Sequence, residues 1–395
     1  MKIKITLIAL LMFTTSSIMA QFSLEGEFRP RSELFGNGQS KTAVDSDKSY
    51  VSTSVRAALK ATYKTESYTL FTSFQEVFKF GDRPQISASG NGNFRVQEAW
   101  ADIKLSETTT FKIGRQPISY DDQRILGGLG WAQQARTHDA GIFQYRKEGY
   151  NLKVGGALNT PTNAIYGTDA AFSYREMAYV HANKKYANLN ISALGLLNTF
   201  QTIATNKSTL ITAGLHANYK IKSLTLKANA YIQDGDRTVG GTAQEISGAY
   251  LASLDASIKA TEKTSFSLGG EVISGKTDDN TFGFFPLFGT NHAFNGLMDR
   301  FYVGNHANAA GLVDVNAGVK TKIGSYAVSL KGHYFKEQSL DKGDLGTELD
   351  LVIAKKFKGY KLVGGYSQFF EPSDVIGKDT QNWAWLMLII KPKFL

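Results

Sequence analysis

The chain alternates. From Ser223 to Gln233, Leu224, Leu226, Ala228, Ala230 and Ile232 take turns with Thr225, Lys227, Asn229, Tyr231 and Gln233. From Ser49 to Lys64, Val51, Val55, Ala57, Leu59, Ala61 and Tyr63 stand between Ser52, Ser54, Arg56, Lys60 and Thr62. Val313, Val315, Ala317 and Val319 repeat the pattern against Asp314, Asn316, Lys320 and Lys322. A period of two marks a β-strand with one apolar and one polar face. The same reading along the whole chain predicts about 18 strands, over 22–31, 49–65, 67–80, 94–106, 108–117, 138–147, 149–157, 175–185, 187–198, 208–221, 223–234, 247–261, 263–274, 309–322, 325–337, 345–357, 360–370 and 381–395.

The connections alternate as well. Short ones, such as Lys147–Gly149 and Ile221–Ser223, are followed by long ones, such as 118–137, 235–246 and 275–308. One end of every hairpin is tight and the other loose. An even strand count with that asymmetry predicts an all-β fold: a transmembrane antiparallel up-and-down barrel with short periplasmic turns and long extracellular loops. A sandwich needs far fewer strands and a packed interior. Here the faces opposite the apolar ones carry Lys, Asn, Gln and Ser, which suits a wet lumen enclosed by lipid-facing side chains. Tyr63, Tyr68, Tyr186, Tyr219, Tyr326, Tyr360 and Trp383, near strand ends, suit interfacial girdles. The final strand is apolar on both faces from Trp383 to Ile390, which predicts contact with an inward-folded loop.

Composition sharpens this picture. Residues 1–20 read as a secretory signal: Lys2 and Lys4, an apolar Ile5–Phe13, then small residues up to Ala20. Residues 21–395 then form a single barrel domain in the cell outer membrane. No apolar run reaches the ~18 residues of a membrane-spanning helix. There is no Cys, which excludes disulfides and thiolate metal sites. The formal charge is +9, or +7 without Lys2 and Lys4, a weak bias toward anionic partners. No phosphate loop or dinucleotide fingerprint occurs, and the six histidines lack ligand spacing. His181, His216 and His333 fall on lumenal parity as wall residues. No cofactor and no nucleic acid is implied, and nothing singles out a catalytic set.

Lumenal parity assigns Glu25, Glu27, Arg29 and Arg31 on the first strand, and Arg56 and Lys60 on the second. Lys227, Lys331 and His333 follow, then Glu348, Asp350 and Lys356 opposite Leu349, Leu351, Ile353 and Phe357. Only fixed basic groups at a constriction would select anions. Arg115 breaks the pattern, because it shares parity with Phe111 and Ile113. Either the strand is already leaving the lipid zone there, or a bulge at Gly114 flips the phase. The stretch that follows is too charged for a strand. Folded inward, it would carry Asp121, Asp122, Arg124 and Arg136 beside Arg115 and constrict the pore.

These motifs carry a resemblance. "GRQ" at 114–116 with Asp121-Asp122, "GWAQQARTHDA" at 130–140, "HAFNGLMD" at 292–299 and "GTELDLVIAKKFK" at 346–358 are similar to motifs of the alginate export family of outer-membrane porins. The last string is the most specific. The resemblance implies an 18-stranded barrel that passes an anionic polysaccharide through an arginine-rich constriction. It carries over onto Arg115, Asp121, Asp122, Glu348, Asp350 and Lys356. Pro117, Ile118, Ser119 and Tyr120 stand where the best-known member of that family has a further basic residue.

The expected function is a passive, anion-favouring pore rather than an enzyme. Its partners are outer-membrane lipid, an acidic polysaccharide of uronate type or a small anion, and periplasmic export components. The alternative is a barrel that serves as a binding surface or scaffold. "FGFFPLF" at 282–288 argues for it, as exposed aromatics that mark a contact site.

Overall fold

The computed structural model describes residues 21–36, 49–82, 93–159, 174–201, 207–239, 242–276, 282–301, 310–339, 343–372 and 381–395. The signal segment 1–20 lies outside the described residues. Eighteen strands follow one another: β1 (Gln21–Phe35), β2 (Tyr50–Lys64), β3 (Tyr68–Lys79), β4 (Arg95–Lys104), β5 (Thr109–Gln116), β6 (His138–Lys147), β7 (Tyr150–Leu158), β8 (Glu176–Lys185), β9 (Leu189–Gln201), β10 (Lys207–Ile221), β11 (Leu224–Val239), β12 (Thr242–Lys259), β13 (Ser265–Ile273), β14 (Leu312–Ile323), β15 (Tyr326–Lys336), β16 (Asp344–Lys356), β17 (Tyr360–Phe370) and β18 (Gln381–Ile390). Each pairs antiparallel with its sequence neighbours, and β1 pairs with both β2 and β18. The sheet closes on itself, so no strand edge is left for water or lipid to satisfy.

The predicted strands all have counterparts. The largest departure is the connection expected over 235–246. There β11 and β12 continue as one hairpin, with Gly235 opposite Ile246 and Val239 opposite Thr242. Gly235 reads as a breaker, but the register shifts between Gln233 and Gly235, and its φ of 110° absorbs the shift. Tight turns close the other end. Glu148 and Gly149, at φ 49° and 79°, join β6 to β7 in a two-residue link that needs positive φ twice.

The two faces separate as the alternation requires. Leu59, Leu215, Leu254, Leu268 and Leu386 point outward and are exposed. Tyr63, Tyr68, Tyr186, Tyr219, Tyr326 and Tyr360 are exposed in a ring at the short-turn end. Trp383 does not join them. It is buried in the lumen.

The lumen itself departs from the expected wet wall. Tyr179, Leu194, Leu196, Leu210, Tyr231 and Leu251 point inward and are buried against Ile118, Leu126, Phe284, Phe285 and Phe288. A second dry cluster joins Met298 to Leu312, Phe335, Phe369, Trp383, Trp385 and Met387, with Trp131 packed against it. Inward apolar groups on β8–β12 and β14–β18 are compatible with a barrel because two long connections fold in to cover them. The doubly apolar β18 meets such a loop, as the sequence led us to expect.

The outward face sets a testable cost. Leu254→Arg places a charge on the lipid side and is expected to destabilise the folded barrel by about 2–4 kcal/mol at mid-depth. Thr225→Arg, on the lumenal parity, is expected to stay within about 0.5 kcal/mol. Reversible urea unfolding in liposomes measures both. Equal costs would reverse the assignment of faces.

Candidate functional site

β5 ends where Gln116 turns inward, fully buried, and donates from Nε2 to the carbonyls of Gly114 and Ala140. Pro117 cannot continue the ladder, and the chain leaves the wall. It then runs into the lumen as loop A (residues 117–137).

Loop A first fastens to the far wall. Asp121 accepts from Ser192 Oγ at 2.5 Å and lies 3.1 Å from His181 Nε2. Asp122 accepts from Asn229 Nδ2 at 2.8 Å, with His216 at 3.7 Å. Arg124 is buried; its Nη2 and Nε reach both oxygens of Glu271 at 2.5 and 2.8 Å, and Nη1 reaches Asn291 Oδ1 at 2.7 Å. The loop therefore touches β8, β9, β10, β11 and β13.

It then crosses to the near wall. Arg29 Nη1 donates to the Gly130 carbonyl at 2.8 Å, and Arg31 Nη1 to the Trp131 carbonyl at 2.9 Å. Arg56 donates to the carbonyls of Ala132 and Gln133 at 2.8 and 2.5 Å. Gln75 and Arg95 both donate to the Gln134 carbonyl, at 2.8 and 2.6 Å. Five consecutive carbonyls are thus held by side chains of β1 to β4. Leu129 and Ala135 flank this segment at φ 50° and 56°, a left-handed conformation that costs a non-glycine residue about 1–2 kcal/mol. Since β1 and β10 lie nine places apart in an 18-membered ring, loop A spans the full width of the barrel.

Loop B, through its described residues 274–276, 282–301 and 310–311, completes the partition. Leu126 pairs with Phe288 in a short parallel bridge, and Trp131 stacks on His292 at 4.4 Å. Phe285 exchanges hydrogen bonds with Gln233 of β11. The Met298 and Leu297 amides donate to Glu348 at 2.8 Å and Asp350 at 3.2 Å on β16. Gly296, at φ 85°, lies so close to Glu348 that a Cβ there would sit 2.6 Å from the carboxylate.

The expected site residues divide accordingly. Arg29, Arg31, Arg56 and Lys60 gather on the near wall with Glu27, which sits 3.0 Å from Lys60, 3.4 Å from Arg56 and 3.9 Å from Arg29. Asp121, Asp122 and Arg124 anchor loop A to the far wall, while Arg136 donates to the Gly289 carbonyl of loop B. Glu348 and Asp350 hold loop B. Lys227, Lys331 and Lys356 are on lumenal parity, opposite Asp255, Asp350 and Lys361 in register. Arg115 is the correction. It faces outward at the long-loop end, paired with Asp139 at 2.7 and 2.8 Å, and takes no place beside the inward-folded charges. The register past Gly114 is unbroken, so the strand is leaving the lipid zone there and no phase flip occurs. "FGFFPLF" is a second correction: Phe284, Phe285 and Phe288 are buried within the lumen and offer no exposed aromatic surface. Ser192, Asn229, Glu271, Asn295 and Gln133 went unselected in the sequence; lumenal parity marks the first three, but only the fold supplies their partners.

These anchors predict two behaviours. Burial pushes the Asp121 carboxyl up, but the hydrogen bonds from His181 and Ser192 outweigh it and hold the group below its ordinary 3.8. A lowered value means that the anchor is at full strength above pH 3.8 and is lost as the pH falls through the folded-state value. Loop A should therefore become sensitive to an acid protease only in that acid range. Asp121→Asn should be equally sensitive at every pH. Separately, Arg124→Met leaves Glu271 buried without its cation and should lower stability by about 3–5 kcal/mol. Arg115→Ala breaks only a half-exposed pair and should cost under about 1 kcal/mol. Chemical unfolding of the two variants side by side decides between them.

Comparisons with known proteins agree with this architecture. OpdK, an outer membrane protein from Pseudomonas aeruginosa, is 12% identical over 95% of this chain and 99% of its own, with a TM-score of 0.66. Acinetobacter baumannii OccAB4 is 11% identical over 96% and 100%, with a TM-score of 0.67. A structure of Pseudomonas aeruginosa OpdK with vanillate is 11% identical over 94% and 99%, with a TM-score of 0.64. No match was found among curated proteins. The family model described as alginate export matches residues 20–363. With its closed 18-stranded barrel, the chain belongs to the alginate export family of outer-membrane barrels.

Proposed function

We propose that the barrel is a passive pore favouring anions, and that its solute is an acidic, uronate-type polysaccharide or a smaller carboxylate. The observation that carries this reading is the charge on the near wall. Arg29, Arg31, Arg56, Lys60 and Lys391 cluster there, and among the described residues only Glu27 and Glu33 pair with them. The excess of fixed cations attracts carboxylates, the partly open Lys60 and Lys391 can replace part of their hydration, and the interspersed glutamates keep binding weak enough for release. Across the lumen, Glu271 is neutralised by Arg124 at 2.5 Å, and Asp121 and Asp122 stand apart from the near-wall row, against Ser192 and Asn229.

Membership of the alginate export family supports a uronate polymer delivered by periplasmic export components. The vanillate in an OpdK structure supports a small carboxylate on the same scaffold type. The scaffold reading has lost the exposed aromatic stretch that favoured it.

Planar-bilayer recording under a KCl gradient tests the proposal. The reversal potential should show chloride passing in preference to potassium. A unit charge about 4 Å from the path is worth about 1 kcal/mol in water, so Arg29→Ala with Arg56→Ala should lower the anion-to-cation ratio about fivefold or more. A cation-selective parent pore would sink the reading.

A further inference from the structure

Of the near-wall cations, Arg29, Arg31 and Arg56 are buried, and their donors, with that of Arg95, point at the consecutive carbonyls of Gly130 to Gln134. That segment, GWAQQ, carries no charge of its own. Gln133 adds side-chain contacts: its Oε1 accepts from Arg29 Nε at 3.0 Å, and its Nε2 donates to Ser54 Oγ at 3.1 Å. Trp131 lies under Arg31, whose guanidinium carbon is 4.2 Å from the ring centre.

Three features make the seat a poor match for its occupant. The row supplies four guanidinium groups, from Arg29, Arg31, Arg56 and Arg95, yet the segment offers only neutral oxygens. A carboxylate adds the opposite charge that a carbonyl lacks, and an arginine fork fits it with two parallel bonds. The segment is also held between left-handed Leu129 and Ala135, so leaving the seat relieves backbone strain.

We propose that Gly130–Gln134 is a built-in stand-in for an acidic chain, and that a linear oligomer of carboxylates displaces it from Arg29, Arg31, Arg56 and Arg95. The inference rests on the anion-pore reading and deepens it. The site recognises successive carboxylates in one row, and the solute itself opens the seat. Neutral sugars lack the charge to compete with the carbonyls. The far-wall anchors at Asp121, Asp122 and Arg124 stay in place, so the displacement is confined to the near half of loop A.

The chain has no cysteine, so Ala132→Cys creates its sole thiol, in the middle of the seated segment. The purified barrel in detergent is reacted with a neutral maleimide. Trigalacturonate should raise the labelling rate about tenfold or more, and maltotriose should leave it unchanged, as expected for a ligand that binds one of two states. With Arg29→Ala and Arg56→Ala added, the thiol should label fast without any sugar. If Ala132→Cys does not fold, acrylamide quenching of Trp131 in the parent chain, with Trp131→Phe as the blank, gives the same readout. A rate unmoved by trigalacturonate, or raised equally by maltotriose, overturns the displacement. Chloride selectivity recorded from the same preparation keeps the two ideas apart: an anion-selective pore with an unmoved thiol refutes the stand-in alone.

Discussion

A loop that enters a barrel must find partners for every carbonyl and amide that it takes away from water. The whole interior is arranged around that demand. Loop A buries consecutive carbonyls, and each of those from Gly130 to Gln134 meets a donor from the wall. Loop B turns its Met298 and Leu297 amides to the wall and meets acceptors there. Without the matching side chains, both loops would be driven out to solvent, and the apolar lumenal groups of β8–β12 and β14–β18 would be left facing water.

The matching follows a simple division. Strands facing loop carbonyls carry arginine, as β1 and β2 do with Arg29, Arg31 and Arg56. The strand facing loop amides carries carboxylates, as β16 does with Glu348 and Asp350. Arg124 of loop A meets the opposite sign on the wall, Glu271 at 2.5 Å, whereas Asp121 and Asp122 are held by the neutral donors Ser192 and Asn229. The "GTELDL" and "FNGLMD" stretches are therefore two halves of one joint. Gly296 provides the close approach to Glu348, which accepts from the Met298 amide while Asp350 accepts from that of Leu297. In this chain these motif residues seat a loop against the wall.

Much of the fold was legible because a barrel states itself locally. Period-two alternation and the tight–loose rhythm of the connections need no partner to be read, and each of the 18 strands appears within a few residues of its expected place. The failures share a cause. Gly235 looks like a stop because a bulge is defined by the opposite strand, which sequence does not display. Trp383 looks interfacial because its parity is read from its own strand, whereas its true neighbour is Trp131, 6.0 Å away across the lumen. Arg29, Arg56, Asp121 and Glu348 were identified as lumenal charges, but their tasks depend on contacts 50 or more residues distant. Charge type is local information; which loop a charge holds is not.

The partition also changes what the charges can do. In an open aqueous tube, salt screens a fixed cation over about 8 Å, and arginines on one wall would act weakly on a solute near the axis. Packing loops A and B across the interior removes that axial route from the region where the arginines stand. Burial of Arg29 and Arg56 lowers the local dielectric response and strengthens each bond they make. The apolar half of the lumen and the basic row are thus parts of one device: the dry packing holds the loops, and loop A lays its carbonyls over the arginines.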